Sequence, residues 1–491
     1  MKHSLTYLFD KCRPYWFSSL QSLLYLIVLL FSLLFISCNG RTVETGDANY
    51  RKAREQAFKA QRIREAKYRE EARGLAQGLS LEALAAQVLM TGVAGRESLS
   101  PDMKKIFLKI PVGAIMLFKY NIADTPRSVY AFIAECSDTA AVPLAESNTA
   151  SAMNPRKLLP FIALDHEGGD VYRLGQVATR MPPASRYLLS SNNAINSGDS
   201  TKSGMIMAED SWFTIRQAAY LSGRELRALG ITMNLAPVAE PLVPENRAFL
   251  QNRSFAADPA AVAPAAAAFI QGMGEAGVTS VVKHFPLSAA ADPHHGRSVL
   301  TVDKKRLSYL VAPFEALLKN REQVHDLDSL YPKTFIALPI QPGGVMVAHT
   351  VVTPIDPEVP ASLSNRIMQD WMKEALGFSG IVITDDFAMK AITDAGYTLE
   401  DAIIRALQAG SDMVMVWPRD VVSVHRLLVE RAKSDTLFRD RLIDAATRII
   451  NIKLLQGLIV SPEVVPEAFN DEGYSCMKKA TEQFLRERNL R

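Results

Sequence analysis

The stretch Gly277–Phe285, GVTSVVKHF, decides the fold. A short apolar run without polar alternation reads as a strand buried on both faces, as in a parallel sheet. It runs straight into Lys283 and His284, and an ammonium and an imidazole are tolerated there only if the strand ends against polar partners. Six more runs of this kind begin at the residues numbered here: VGAIMLF at 112, LLPFIAL at 158, GITMNLAPV at 230, GGVMVAHT at 343, GIVITDDF at 380 and SDMVMVW at 411. Helical patterns separate several of them, over 211–229 and 260–275 among others. Seven βα units predict a (β/α)8 TIM-type barrel with one strand degenerate or unseen. An open doubly wound sheet would want a Gly-rich loop after its first strand, and there is none. Nor is there a P-loop or a paired CxxC.

In such a barrel the carboxyl ends of the strands form the working face. The polar residues of this chain collect there: Asp165, His166 and Glu167; Asn234; Lys283 and His284; His349; Asp385 and Asp386. Each has a bland explanation, since a lone His is commonly a satisfied core residue and Asp is a preferred helix cap. Together, around one ring, they point to chemistry. Two chemistries could use the ring. Metal-assisted hydrolysis would gather histidines and carboxylates around zinc, but the stretch after Leu164 offers Asp-His rather than two histidines on one face. Glycoside hydrolysis would use Asp385 as one carboxylate, with a separate acid supplied by the loop after His284, KHFPLSAAADPHHG over 283–296. Three of the eight histidines lie in that stretch.

With 491 residues, 48% of them hydrophobic, the chain is long enough for one large barrel or for two or three smaller domains. Lys2, Lys11 and Arg13 precede an apolar run ending at Cys38, so residues 1–37 are expected to be a lipoprotein signal peptide with Cys38 as the lipidated residue. The alternative is an uncleaved anchor. Either reading puts the body outside the cytoplasm, held to a membrane through its N-terminus. Residues 38–78, rich in Arg, Lys, Glu and Ala, read as a charged, solvated helical tether. The barrel body spans 79–459, with a C-terminal tail over 460–491. Segments 137–157, 188–211 and 320–334 read as surface insertions. The net charge of +3 falls to about +1 without the signal and implies no nucleic-acid partner. Cys136 and Cys476 remain in the body, which agrees with export.

Several stretches, in order, are similar to the bacterial β-N-acetylglucosaminidases of glycoside hydrolase family 3: ALDHEGGDVYRL (163–174), LGITMNLAPVAE (229–240), NRSFAADP (252–259), KHFP (283–286), VMVAHTVVTPID (345–356), PASLS (360–364), LGFSGIVITDDFAM (376–389) and ALQAGSDMVMV (406–416). The resemblance implies that Asp385 is the nucleophile of a retaining reaction. It further implies that Asp165, Arg253, Lys283 and His284 grip the hydroxyls of a terminal sugar, and that Asp292 and His294 form the acid/base pair, with His295 the alternative to His294. Arg173 also occupies a family position, read as structural first. No metal or cofactor is implied; the partner is a carbohydrate, terminal β-linked N-acetylglucosamine on peptidoglycan fragments or other glycans. Two departures stand out. Leu287-Ser288-Ala289 replaces the family's Gly-His-Gly, which is expected to stiffen the loop. Asp170 stands where an Arg is usual. A sugar-binding lipoprotein with an impaired loop and a β-glucosidase of the same family are the alternatives.

Overall fold

The computed structural model describes residues 64–144, 155–188, 202–319, 341–461 and 468–490. The signal segment with Cys38, the tether up to residue 63, the central parts of the insertions at 137–157 and 188–211 and all of 320–334 lie outside them. Eight parallel strands close into a barrel: β1 (Leu89–Gly92), β2 (Ala114–Met116), β3 (Phe161–Leu164), β4 (Met233–Asn234), β5 (Thr279–Phe285), β6 (Gly344–Val347), β7 (Ile381–Asp386) and β8 (Met413–Val416). Closure is made by β1, which pairs with β2 on one side and β8 on the other. The seven runs read from the sequence are β2 to β8. The eighth strand is the first in the chain, LMTG. It escapes a periodicity reading because only Val88 separates it from the helix Leu81–Gln87, so LEALAAQVLMTG reads as one helical run.

The helices that cover the barrel start where the chain supplies caps. Ser100 and Thr125 accept from backbone N–H groups ahead of Pro101 and Pro126, Asp258 does so ahead of Pro259, and Asp303 caps Lys304–Leu318. The patterns read at 211–229 and 260–275 are the helices Lys202–Ala228 and Pro259–Glu275. They pack closely: a Cβ on Gly272 would lie 2.2 Å from the Arg216 carbonyl oxygen.

The amino end of the barrel is covered by sequence that reads as solvated. Residues 64–78 are helical, and Ala72 and Ala76 are fully buried in a cluster with Leu84, Val142, Leu158, Ala446 and Ile450. Two alanines among many charges are too weak a stripe to announce a buried face, so the spacer read over 38–78 is in its last part packed structure. The helix Asp471–Glu487 likewise docks rather than trailing. Tyr474 is buried and donates to the Val177 carbonyl at 3.1 Å, and Leu485 is fully covered.

One buried carboxylate ties the outer helices to the barrel. Asp412, just before β8, accepts from Lys373 Nζ at 2.7 Å, from Arg441, and from the Val382 N–H at 2.9 Å. Burial raises its carboxyl, and the two cations outweigh this, so it is held below the ordinary carboxylate range. Breaking such a group leaves Lys373 buried without its counter-ion. Asp412→Ala is expected to lower unfolding stability by about 3–5 kcal/mol, read from urea denaturation midpoints. A loss below about 1 kcal/mol would show that the cluster is solvated in solution.

Candidate active site

The carboxyl ends of β3, β4 and β5 bring together residues far apart in the chain. Lys283, only 3% exposed, points its ammonium between two carboxylates, with Asp165 Oδ1 at 2.7 Å and Glu167 Oε1 at 2.6 Å. Arg253 meets Glu167 with both arms, Nε and Nη2 each at 2.8 Å, and its guanidinium lies over the Phe249 ring. Arg173 donates to the other oxygen of Asp165 at 3.2 Å. It therefore sits against a site carboxylate, although the sequence reading treated it as structural first. Burial raises the Asp165 and Glu167 carboxyls, but Lys283 beside both and Arg253 beside Glu167 outweigh it, so both are held below their usual values. Burial lowers the Lys283 ammonium, and the same two carboxylates more than restore it.

His284 is fixed from behind. Its Nδ1 lies 2.7 Å from Glu240 Oε1, and Arg253 Nη2 lies 3.5 Å from its Nε2. A carboxylate accepts and a guanidinium donates, so Nδ1 carries the hydrogen and Nε2 offers its lone pair. Glu240 is fully buried and takes four further hydrogen bonds, from the His284 N–H, the Ser288 N–H, the Ser288 hydroxyl and the Asn246 amide. Sequence reasoning missed Glu240, and it named Glu167 without giving it a role. Both stand immediately beyond apolar runs, in ALDHE and LAPVAE, where the rule that found Asp165 could have found them.

Across the mouth, Asp385 at the end of β7 accepts the Asp386 N–H at 2.9 Å. Asp386 is turned aside: its Oδ2 accepts from Trp417 Nε1 at 2.9 Å and its Oδ1 from the Ala388 N–H. His349 props up this strand end. Its Nε2 lies 3.0 Å from the Asp386 carbonyl oxygen and its Nδ1 2.7 Å from Ser362 Oγ, so Nε2–H donates and Nδ1 accepts. Burial lowers its pKa despite the nearby Asp385. His166 is not on the mouth at all. It is 1% exposed, with Nε2 3.1 Å from Ser222 Oγ, and burial brings it down to about 4. Asn234 serves it as a backbone clip rather than facing the mouth.

The loop after β5 carries Asp292 and both histidines. His294 Nδ1 lies 2.7 Å from Asp292 Oδ1, and His295 Nδ1 lies 3.3 Å from Oδ2. Both rings are exposed, His295 the more so. Three anchors position the loop. Leu287 is fully buried and Ser288 is held by Glu240; the Pro293 carbonyl accepts from the Ala391 N–H at 3.0 Å; and Ser298–Leu300 pairs in parallel with Thr350–Val352. The middle anchor ties the Asp292–His294 turn to the short helix Lys390–Thr393 beyond Asp385. Asp170, on the rim, meets Arg180 and Asn252 rather than the Asp165 cluster. Among the described residues, no group of three His, Cys, Asp or Glu side chains could hold a metal ion.

A family model described as "Glycosyl hydrolase family 3 N terminal domain" matches residues 80–452. A β-hexosaminidase of Xylella fastidiosa is 32% identical over 71% of this chain and 89% of its own. One of Methylococcus capsulatus is 30% identical over 68% and 85%. Among solved structures, that of Mycobacterium tuberculosis LpqI has 25% identity and a TM-score of 0.59, covering 78% of this chain and 96% of its own. A β-N-acetylglucosaminidase of Paenibacillus, at 24% identity and a TM-score of 0.63 over 83% of this chain and 69% of its own, shares the fold.

Lys283→Met removes the ammonium between Asp165 and Glu167, and at pH 7 it is expected to cost about 3 kcal/mol or more in stability. Both carboxyls are depressed in the native protein, so Lys283 stabilises the fold above their unfolded pKa values and loses that effect as pH falls through the folded ones. Without the ammonium the two buried carboxyls of the variant are raised instead, so its native state takes up a proton that the parent does not, and the gap should narrow from pH 7 to pH 4 in urea titrations. A gap independent of pH would assign Lys283 to packing alone.

Proposed function

The chain belongs to glycosyl hydrolase family 3 and is a glycoside hydrolase; from that premise we propose that it is a retaining β-N-acetylhexosaminidase that removes terminal β-linked N-acetylglucosamine, with Asp385 as nucleophile and His294, oriented by Asp292, as acid and base. The observation that carries this reading is the hydrogen bond from the Ala391 N–H to the Pro293 carbonyl, which links the segments bearing two groups. One is a carboxylate ending β7; the other is a carboxylate-held imidazole on a loop tied to Ala391, just beyond that strand. Asp165, Lys283, His284 and Arg253 supply the charge-assisted hydrogen bonds that hold a neutral, hydroxyl-rich ring.

In the first step an Asp385 oxygen attacks the anomeric carbon while imidazolium Nε2–H passes its proton to the departing oxygen. The C1–O bond to the leaving group breaks, and a C1–O bond to Asp385 forms. Asp292 accepts from Nδ1–H throughout. Burial raises the Asp292 carboxyl and its hydrogen bonds from His294 outweigh this, keeping it ionised and able to hold the ring. In the second step the now neutral Nε2 takes a proton from water, whose oxygen displaces Asp385 from C1. The base of the loop supports the step: Leu287 and Ser288, in place of the family's glycine and histidine, are buried and bonded and hold its root. The physiological substrate we assign to peptidoglycan fragments or related envelope glycans. The chain is assigned outside the cytoplasm, lipid-anchored at Cys38; among the described residues no helix is long and apolar enough to cross a membrane.

Asp385→Asn should reduce hydrolysis of a chromogenic N-acetyl-β-glucosaminide by about a thousandfold or more; near-normal turnover would remove Asp385 from the mechanism. His294→Ala should lose about 10²–10⁴-fold on a leaving group that needs a proton and far less on the glycosyl fluoride, while His295→Ala loses less on both. Sugar binding with no turnover of the fluoride by the unmodified protein would favour a carbohydrate receptor. Cys38→Ser should move the protein from the membrane to the soluble fraction on cell fractionation, and retention in the membrane would point to an uncleaved anchor.

A further inference from the structure

The hydroxyl grip occupies β3 to β5 and the loops that follow them, and Asp385 ends β7. In a closed ring of eight strands, β7, β8 and β1 stand across the mouth from β3, β4 and β5. A pyranose whose hydroxyls face Asp165, Lys283 and His284 therefore turns its anomeric end, and whatever is attached to it, toward the wall made by β7, β8 and β1. That wall is aromatic. Phe118, two residues beyond β2, and Trp417, directly after β8, lie nearly parallel, with centroids 5.5 Å apart and planes 9° apart. Tyr120 extends the row, 5.6 Å and 11° from Phe118.

The row exists because of what is missing from the strand between. β1 ends in Gly92, and a Cβ there would lie 3.2 Å from the Phe118 ring and 3.6 Å from Pro418. Without a side chain at that position, residues two strands apart can meet over it. Both ends of the row are fixed. At the inner end Trp417 Nε1 donates to Asp386, next to Asp385 in the chain. At the outer end the buried Asn121 donates to the Val93 and Gly95 carbonyls and accepts from the Phe118 N–H, which locks the turn that presents Phe118 and Tyr120. Tyr120 is nevertheless 54% exposed, a large outward ring that adds little to the core.

We propose that Phe118, Tyr120 and Trp417 form a leaving-group subsite, a rigid platform on which the apolar face of the second pyranose of the substrate stacks. This deepens the glycosidase reading and rests on it. The C–H face of a β-linked pyranose suits the electron-rich face of an aromatic ring, and rings held by a buried turn and a carboxylate lose little freedom on binding. The three side chains act on which substrates are taken, through the unit that leaves, and do not touch the reacting atoms.

The test compares kcat/KM for a β-1,4-linked disaccharide of N-acetylglucosamine with that for N-acetyl-β-glucosaminyl fluoride, whose leaving group has no ring. In Tyr120→Ala and Phe118→Leu the disaccharide-to-fluoride ratio should fall about five- to tenfold, mainly through KM for the disaccharide, and Tyr120→Phe should keep the ratio of the parent. A ratio unchanged in both variants, or an equal fall on both substrates, would overturn the platform. Calorimetry on Asp385→Asn reads the subsite without turnover: the disaccharide should bind more tightly than the monosaccharide, and adding Tyr120→Ala should remove the difference. If the parent hydrolyses neither substrate while that binding advantage stands, the hydrolase reading falls and the platform survives. If the disaccharide gains nothing over the monosaccharide, the platform falls whatever the turnover.

Discussion

The rest of the site depends on the ammonium of Lys283 being held between Asp165 and Glu167. Without that cation two carboxylates would face each other in a buried setting, and one would protonate or turn away. With it, charge alternates along a chain: Arg173, Asp165, Lys283, Glu167, Arg253. Buried ion pairs seldom add net stability over apolar residues of the same shape. Their service here is geometric: each charged group is aimed by its neighbour, so that a hydroxyl-rich ligand meets a prearranged set of donors and acceptors.

A second constraint joins binding to proton transfer. Glu240 holds the imidazole of His284 and, through the Ser288 N–H and hydroxyl, the root of the loop that carries Asp292 and His294. One buried carboxylate thus sets the orientation of a sugar-gripping ring and the starting point of the acid/base segment. Leu287 and Ser288 look like losses of flexibility when set beside a Gly-His-Gly loop. In the fold, the apolar side chain fills the core and the hydroxyl satisfies Glu240, so stiffness is placed at the base of the loop, while His294 and His295 beyond it remain exposed.

Much of this was legible in the chain. Seven of the eight barrel strands announce themselves because strands buried on both faces must be continuously apolar, and of the polar residues at their ends Asp165, Glu167, Lys283, His284 and Asp385 reach the mouth. LMTG was illegible because four residues after a helix carry no period of their own. The burial of Ala72 and Ala76 was hidden because two small residues leave a charged helix looking solvated. His166 shows the opposite error. It sits in the right place in the sequence, beside Asp165, but alternation along the chain points it behind the barrel wall, where burial keeps it neutral.

By itself the sequence determined the barrel, the order of its strands and the set of ionisable residues at their carboxyl ends, because buried strands and their polar termini are local patterns of residue type. Only the tertiary structure decided which of those residues face one another. Glu167 meeting Lys283 and Arg253, Glu240 behind His284, and Phe118 beside Trp417 across Gly92 are contacts between strands distant in the chain. Such partners are set by barrel closure and strand register, and no local pattern of residues encodes them.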